Sequence, residues 1–355
     1  MAASSMVFAD GRLHANMDVQ QLGELQDPAV AAWLARAERD GPPDLGYRYV
    51  FQADELAKIK QCHDEHGFAI VRDVIDQATV DALKSDVMEV LDPHGSIQPG
   101  QTRVGHAFIE HSPATEALLS HEILLSIHRA VLGVEHLHLH RSAGYLKAPG
   151  SGPLNWHMDY AGFVPLPPST SGGFLNRSET DPNGFYFYLN GSHPAKGGLA
   201  VLENSHRSDW TGPTSLAPTG GSWKKRHATF NGQHRTMEMA ECVPLFSNPR
   251  DLIIFAARTY HSAFPMDSSM GEPRVSVGLR FRSHAGLGDD DPELAQLVET
   301  WQQAGVAASE TSAPWPLPAS AKSLKARHKG TARESMLEHY TSIDFKWKAP
   351  VVPKL

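Results

Sequence analysis

Apolar positions along the chain change their spacing near residue 136. Before that point they recur at helical intervals. Asp54–Gly67 reads as a helix closed by Gly67, since glycine takes the left-handed conformation that ends helices. Phe68–Ile75 is a short apolar run of strand type. Asp76 then offers an N-cap. Val80, Leu83, Val87, Val90 and Leu91 fall on one stripe of the helix that follows, and Asp92-Pro93 stops it. Glu122–Leu132 gives another helix. The first 135 residues are thus predicted to be mainly helical. Residues 1–45 form a loosely packed arm with a short helix near Pro28–Arg39.

From His136 the texture is that of strands. His136–Tyr145, Leu154–Phe163, Phe185–Leu189, Gly198–Leu202, Asp251–Ala256 and Arg274–Arg282 are short alternating or apolar runs. Clusters of Gly, Pro, Asn and Ser separate them, as in antiparallel β folds. Helices return at Pro292–Ala304 and Ser320–Tyr340. No clean linker flanks the β region, so residues 46–345 are expected to form a single domain, an all-β core with flanking helices, and 346–355 a tail. Val164–Asn183 and Trp210–Met239 are long loops, of the kind that serve as lids or stay disordered.

Composition narrows the function classes. Apolar content of 41% and charged content of 20% over 355 residues suit a soluble globular protein. Mean hydropathy is -0.33, and no apolar run reaches the roughly 18 residues of a membrane span. A net charge of -8 argues against a nucleic-acid or anionic-membrane partner. The start has no basic segment followed by an apolar one, so no secretory leader is expected. Two cysteines give no disulfide framework, and a reducing, cytoplasmic setting is the default. The expected partner is a small-molecule substrate, and the expected state is a monomer or homodimer. With 20 histidines present, a single His carries little weight by itself.

The candidate chemistry lies in Asn155-Trp156-His157-Met158-Asp159-Tyr160. On a strand, His157 and Asp159 share one face, about 6–7 Å apart. His261 follows the apolar run Asp251–Ala256 after a short break and offers a third ligand. Two His and one carboxylate, with metal positions left open, is the donor set of non-haem Fe(II) oxygenases. The run Arg274–Arg282 then alternates cleanly. Val275, Val277, Leu279 and Phe281 share one face, and Arg274, Ser276, Gly278 and Arg280 the other. An arginine inside a sheet requires a counter-charge. Either a core Asp or Glu supplies it, or Arg274 grips the carboxylate of a small acid, with Ser276 donating a second hydrogen bond.

Taken together, His157-x-Asp159, His261 and Arg274 resemble the Fe(II)/2-oxoglutarate oxygenases, and within them the phytanoyl-CoA hydroxylase-like family. Gly67–Ile75 looks like that family's opening strand. Tyr145–Gly152 followed by Trp156–Asp159 looks like its Lys-Pro-Gly loop and metal strand. Gly197–Arg207 looks like its signature segment, with Glu203-Asn204 in place of Pro-Gly. The resemblance covers about residues 50–285.

It implies a cupin-like double-stranded β-helix, or jelly roll. His157, Asp159 and His261 would bind Fe(II), and 2-oxoglutarate would chelate the metal, with Arg274 on its far carboxylate. Lys147 is a second candidate for that cosubstrate, or else a solvated loop lysine. His206 is expected to be a structural hydrogen-bonder. Related halogenases leave the carboxylate position to a small residue, so Asp159 favours hydroxylation or another oxidative C–H step with O2. Tyr160, Phe163, Trp210 and Trp223 line a pocket or its lid, or else belong to the core. If the two long loops close over the site, Trp210 and Phe174 would touch substrate. If they do not, selection falls to the wall around Tyr145, Tyr160 and Arg280. Lys224-Lys225-Arg226 either attracts an anionic substrate or is a solvated loop face. Two other classes remain: a cupin-like metal-dependent isomerase or hydrolase without cosubstrate, and a non-catalytic jelly-roll binding protein.

Overall fold

A computed structural model describes residues 13–14, 49–152, 154–157, 183–201, 203–207, 241–256, 259, 261–282, 307–312, 317, 320–338, 340 and 344–348. Strands β1 (Leu13–His14) and β2 (Val50–Phe51) precede helix α1 (Leu56–His66), which ends on Gly67 at φ 86°. Strand β3 (Phe68–Val71) follows. Helix α2 (Gln77–Leu91) starts where the Asp76 carboxylate accepts from Thr79 N at 2.8 Å. Strand β4 (Thr102–His106), helix α3 (Pro113–Ala117) and helix α4 (Glu122–Leu132) lead into the β region.

That region comprises β5 (His138–Lys147), β6 (Leu154–His157), β7 (Asn183–Tyr188), β8 (Leu199–Val201), β9 (Glu241–Pro244), β10 (Leu252–Ala256), β11 (His261–Ala263) and β12 (Arg274–Arg282). Strand β13 (Ala307–Ser312), helix α5 (Leu324–His328) and strand β14 (Asp344–Lys348) close the described chain.

One sheet runs β2-β3-β10-β7-β12-β5-β4 and the other β1-β9-β8-β11-β6, with β13 and β14 forming a separate ribbon. Strands β5 to β12 pass between the two large sheets, and four of them lie in each. This is a double-stranded β-helix with a helical coat. The larger sheet buries Val275, Val277, Leu279 and Phe281 of β12 and Phe185 and Phe187 of β7 on its outer face. There they meet the helices: the ring of His128 on α4 stands 4.7 Å from Phe185 and 4.9 Å from Phe281. A fully buried Phe of this kind contributes about 2–3 kcal/mol. The inner face of the same strands is left for polar groups.

Several boundaries differ from the expectation. Strand β3 stops at Val71, because Asp73 turns the chain at φ 50° and its amide donates to Asp251 Oδ1 at 3.1 Å. Strand β5 continues two residues past Tyr145 to Lys147. The expected helix Ser320–Tyr340 is one short helix, α5, and a separate 3-10 turn at Ser335–Leu337, parted by Gly330 at φ 77°. Strand β14 crosses the expected boundary between residues 345 and 346. The helices expected near Pro28–Arg39 and at Pro292–Ala304 lie outside the described residues, as do both long loops up to Asn183 and Met239. Among the described residues no helix is long and apolar enough to cross a membrane.

His128 is fully buried, and neither ring nitrogen has a hydrogen-bond partner. Burial first, and the charge of His63 second, push its pKa down to about 3. The unfolded chain gains a proton below the ordinary value of 6.5 that the folded chain refuses. Stability is therefore intact above pH 6.5 and falls with acidification, by up to about 1.4 kcal/mol per pH unit from this one group. His128→Leu should flatten the melting temperature between pH 6 and pH 4 relative to wild type. An unaltered slope would remove His128 from the acid response.

Candidate active site

The inner face of β12 is built by alternation against two neighbours. Arg274 pairs with Lys147 of β5. Ser276 pairs with Tyr145 and Tyr188, Gly278 with Ala143 and Tyr186, and Arg280 with Arg141 and Gly184. Two like-charged pairs therefore face each other across one sheet, Arg274 with Lys147 and Arg280 with Arg141. Such pairs oppose folding unless something compensates them.

At the first pair both cations are buried. Arg274 donates to Gly197 O, and its guanidinium carbon lies 4.9 Å from the Tyr188 ring centroid, a cation–π contact. Its Nε is buried with no partner. Lys147 Nζ donates to Phe264 O at 2.7 Å. Among the described residues no carboxylate pairs with either cation. Burial first, and Arg274 second, lower the Lys147 pKa to about 7. Lys147 is thus no solvated loop lysine: its pairing with β12 draws it inside. Neither does a core Asp or Glu among the described residues answer Arg274.

His261 opens β11, opposite His157 of β6 and Val201 of β8. Its Nδ1 lies 2.8 Å from the carbonyl of Thr259. A carbonyl only accepts, so Nδ1 carries the hydrogen, and in the neutral ring Nε2 is left as the lone-pair nitrogen. Thr259 is held in turn. Its Oγ1 donates to Gly67 O at 2.8 Å, and Ala256 N donates to the same carbonyl at 2.9 Å. A Cβ on Gly67 would stand 2.5 Å from His206 Nδ1 and 2.6 Å from Thr259 Oγ1. His206 Nε2 lies 2.9 Å from Asp64 O, which ties the signature-like segment to α1. Asn204 takes φ 64° in that segment, so asparagine serves where the resemblance has glycine.

An aromatic wall joins the two regions. Phe255 of β10 lies 4.8 Å from the His261 ring and stacks on Tyr186 at 5.5 Å. Tyr186 and Tyr145 share a hydroxyl–hydroxyl hydrogen bond of 3.2 Å. Gly278 and Gly184 make room for this wall, since a Cβ on them would meet Tyr186 at 2.5 Å and Phe255 at 3.2 Å.

Of the residues singled out from sequence, Lys147, Arg274 and Ser276 are brought together, and Tyr145 and Arg280 lie on the same inner face. His261 is described in full, and His157 by its place in β6 alone. Asp159, Tyr160, Phe163, Phe174, Trp210, Trp223 and Lys224-Lys225-Arg226 lie outside the described residues. Among the described residues no three metal-ligating side chains gather. Tyr186, Tyr188, Phe255, Arg141 and His106 were missed. Alternation through Phe185–Leu189 carried the signal for two of them, since its even positions are tyrosines and face away from Phe185 and Phe187.

Residues 63–274 match the family model described as phytanoyl-CoA dioxygenase. The chain belongs to this family. No protein of curated function matches it in sequence. Solved structures similar to this family member include the epimerase SnoN in complex with Fe3+, alpha ketoglutarate and nogalamycin RO. That likeness has 18% identity over 76% of this chain and 97% of the other, with a TM-score of 0.49. HygX from Streptomyces hygroscopicus, with nickel and 2-oxoglutarate bound, is 16% identical over 63% and 86%, TM-score 0.48. EctD from S. alaskensis in its apoform is 19% identical over 64% of this chain and 76% of the other, TM-score 0.46.

In this dioxygenase-family chain the backing of His261 can be tested through Gly67. Gly133, at the end of α4, has φ 69° and open space around a new Cβ, whereas Gly67 has φ 86° and two close neighbours. Gly133→Ala should cost only the backbone term, about 1 kcal/mol. Gly67→Ala should cost at least about 1 kcal/mol more in denaturant titration. Equal losses would mean that the packing of Gly67 on Thr259 and His206 is dispensable.

Proposed function

We propose that this chain is an Fe(II)- and 2-oxoglutarate-dependent oxygenase acting on an unactivated C–H bond of a small molecule. In the hydroxylating form, substrate R–H, 2-oxoglutarate and O2 give R–OH, succinate and CO2. The observation that carries this reading is the buried pair Arg274 and Lys147, two inward cations with no carboxylate partner among the described residues and an orphaned Nε. A buried charge is tolerated only with a counter-charge, so the site calls for an acid from solution.

The donor chemistry fits a metal above that pair. His261 is fixed in the tautomer that leaves Nε2 as the donor, and its strand is in register with His157. We assign His157, Asp159 and His261 as the metal ligands. Iron, when bound, supplies the redox chemistry with O2 that converts the cosubstrate to succinate and CO2 and oxidises the substrate. The protein's own residues do the rest. Arg274 holds the far carboxylate of 2-oxoglutarate through its planar fork, and Ser276 stands two residues along to donate to the same group. Lys147 adds a second charge from the neighbouring strand. The Tyr188 ring lies against the guanidinium and helps hold it in place.

Two outcomes check this. Purified protein with Fe(II), ascorbate and air should convert 2-oxoglutarate to succinate, and Arg274→Lys should raise the 2-oxoglutarate KM at least tenfold, because a point charge does not reproduce the fork. A KM within twofold of wild type sinks the assignment. The second outcome is a pH dependence. Lys147 loses its proton near pH 7 in the free protein, and a bound dianion favours the charged form. Affinity for 2-oxoglutarate should therefore weaken as pH rises from 7 to 9, and Lys147→Gln should bind more weakly but with a flatter profile. A profile for wild type that is level over that range excludes Lys147 from the cosubstrate site.

A further inference from the structure

The second like-charged pair on the inner face is not part of the cosubstrate grip. Arg280 lies six residues beyond Arg274 on β12, about 20 Å along the strand at strand rise. One five-carbon diacid does not span that separation. The register also fixes what stands at the level of Arg280. It pairs with Arg141 on one side and Gly184 on the other, and Gly184 pairs with Phe255, whose ring is 4.8 Å from that of His261. The Phe255 ring also stacks on Tyr186, which pairs with Gly278, so His261 stands between the Gly278 and Arg280 levels. Arg280 and Arg141 lie beyond it on the side away from Arg274, where a substrate must lie. Arg280 is 7% exposed. Arg141 Nη2 lies 3.0 Å from His106 Nδ1; the guanidinium can only donate, so His106 keeps its other nitrogen as an N–H donor.

We propose that the substrate is an organic anion: its carboxylate, sulfonate or phosphate binds Arg280 and Arg141 with His106, while its apolar body lies along Tyr186 and Phe255. The placement of the reacting bond rests on the oxygenase reading, through His261. The positive field at this level also shows at His140, which burial first, and then Arg282, Arg280 and Arg141, hold well below its ordinary pKa. Tyr145 and Tyr186, hydrogen-bonded to each other, stand between this subsite and the Arg274–Lys147 pair. The two anion positions are thus parted by an aromatic step and can be filled together. Paired guanidinium groups, each with a flat fork of donors, suit an oxyanion head group better than a neutral amide or an ammonium.

The test is calorimetric titration of the full-length protein, loaded with Mn(II) and saturating 2-oxoglutarate. The probes are benzoate, benzenesulfonate and phenyl phosphate, with benzamide as the neutral control. At least one of the anions should bind, and benzamide should bind at least tenfold more weakly. Arg280→Gln and Arg141→Gln should each weaken the anion at least tenfold, and Arg280→Lys should recover part of the loss. A melting curve for each variant shows that it is folded. Arg141, only half-buried, carries the test if Arg280→Gln does not fold. The proposal is overturned if none of the anions binds, if benzamide binds as well as they do, or if folded Arg280→Gln and Arg141→Gln both bind the anion as wild type does. Failure of the oxygenase reading looks different: 2-oxoglutarate then shows no Arg274-dependent binding, while the anion still depends on Arg280.

Discussion

The constraint on which the structure turns is charge inside a sheet. Strand β12 is wholly apolar on one side and carries three arginines, a serine and a glycine on the other. Strand β5 answers with Lys147 and Arg141, so cations face cations at both levels. Coulomb repulsion in a partly desolvated interior opposes this arrangement. It persists because the opposite face is held by Val275, Val277, Leu279, Phe281, Phe185 and Phe187 packed under the helical coat. Burial of that outer layer is worth several times the loss from one like-charged pair. At the Arg274–Lys147 level the fold thus holds an unfavourable interaction that the proposed cosubstrate would relieve.

The helical coat has a second use at its junction with the barrel. Gly67 ends α1, and its carbonyl accepts from both Ala256 N and Thr259 Oγ1. The Thr259 carbonyl then fixes the His261 ring. A helix terminus therefore sets the tautomer of a barrel histidine through two hydrogen bonds. Glu203 extends the same junction, since it accepts from Tyr49 Oη at 3.0 Å and lies 2.8 Å from His66 Nδ1. The departure from Pro-Gly in that segment has its own partners, so the turn is kept by different contacts.

What the sequence made legible follows from how local each signal is. Helices α1, α2 and α4 and strand β12 were readable because caps and periodicity lie within a few residues. Strand β4, Thr-Arg-Val-Gly-His, was missed because an edge strand with one exposed end has no apolar run to reveal it. The broken helix after Ser320 was overread because helix-forming residues surround Gly330, and the left-handed turn there is a tertiary choice. The inward placement of Arg274, Ser276 and Arg280 was legible from alternation alone. The environment of Lys147 was not, because its burial comes from pairing with a residue far along the chain. The same is true of Arg141, whose neighbour Arg280 is supplied by β12.

The aromatic step explains why the two cationic levels need not compete. Tyr188 covers Arg274 below, and Tyr186 with Tyr145 separates it from Arg280 above. Burial raises the Tyr145 phenol well above its ordinary pKa, and Tyr186 raises it further, while Arg141 pulls the other way. The phenol therefore stays neutral and serves as a hydrogen-bonding spacer rather than a counter-ion. A neutral spacer adds no counter-charge of its own to either cationic pair. Had a carboxylate stood at Tyr145 or Tyr186, it would have neutralised one level and removed the reason for an acid to bind there. The choice of tyrosine on the inner face, with phenylalanine on the outer face of the same strand, is what keeps the two proposed anion positions apart within one barrel.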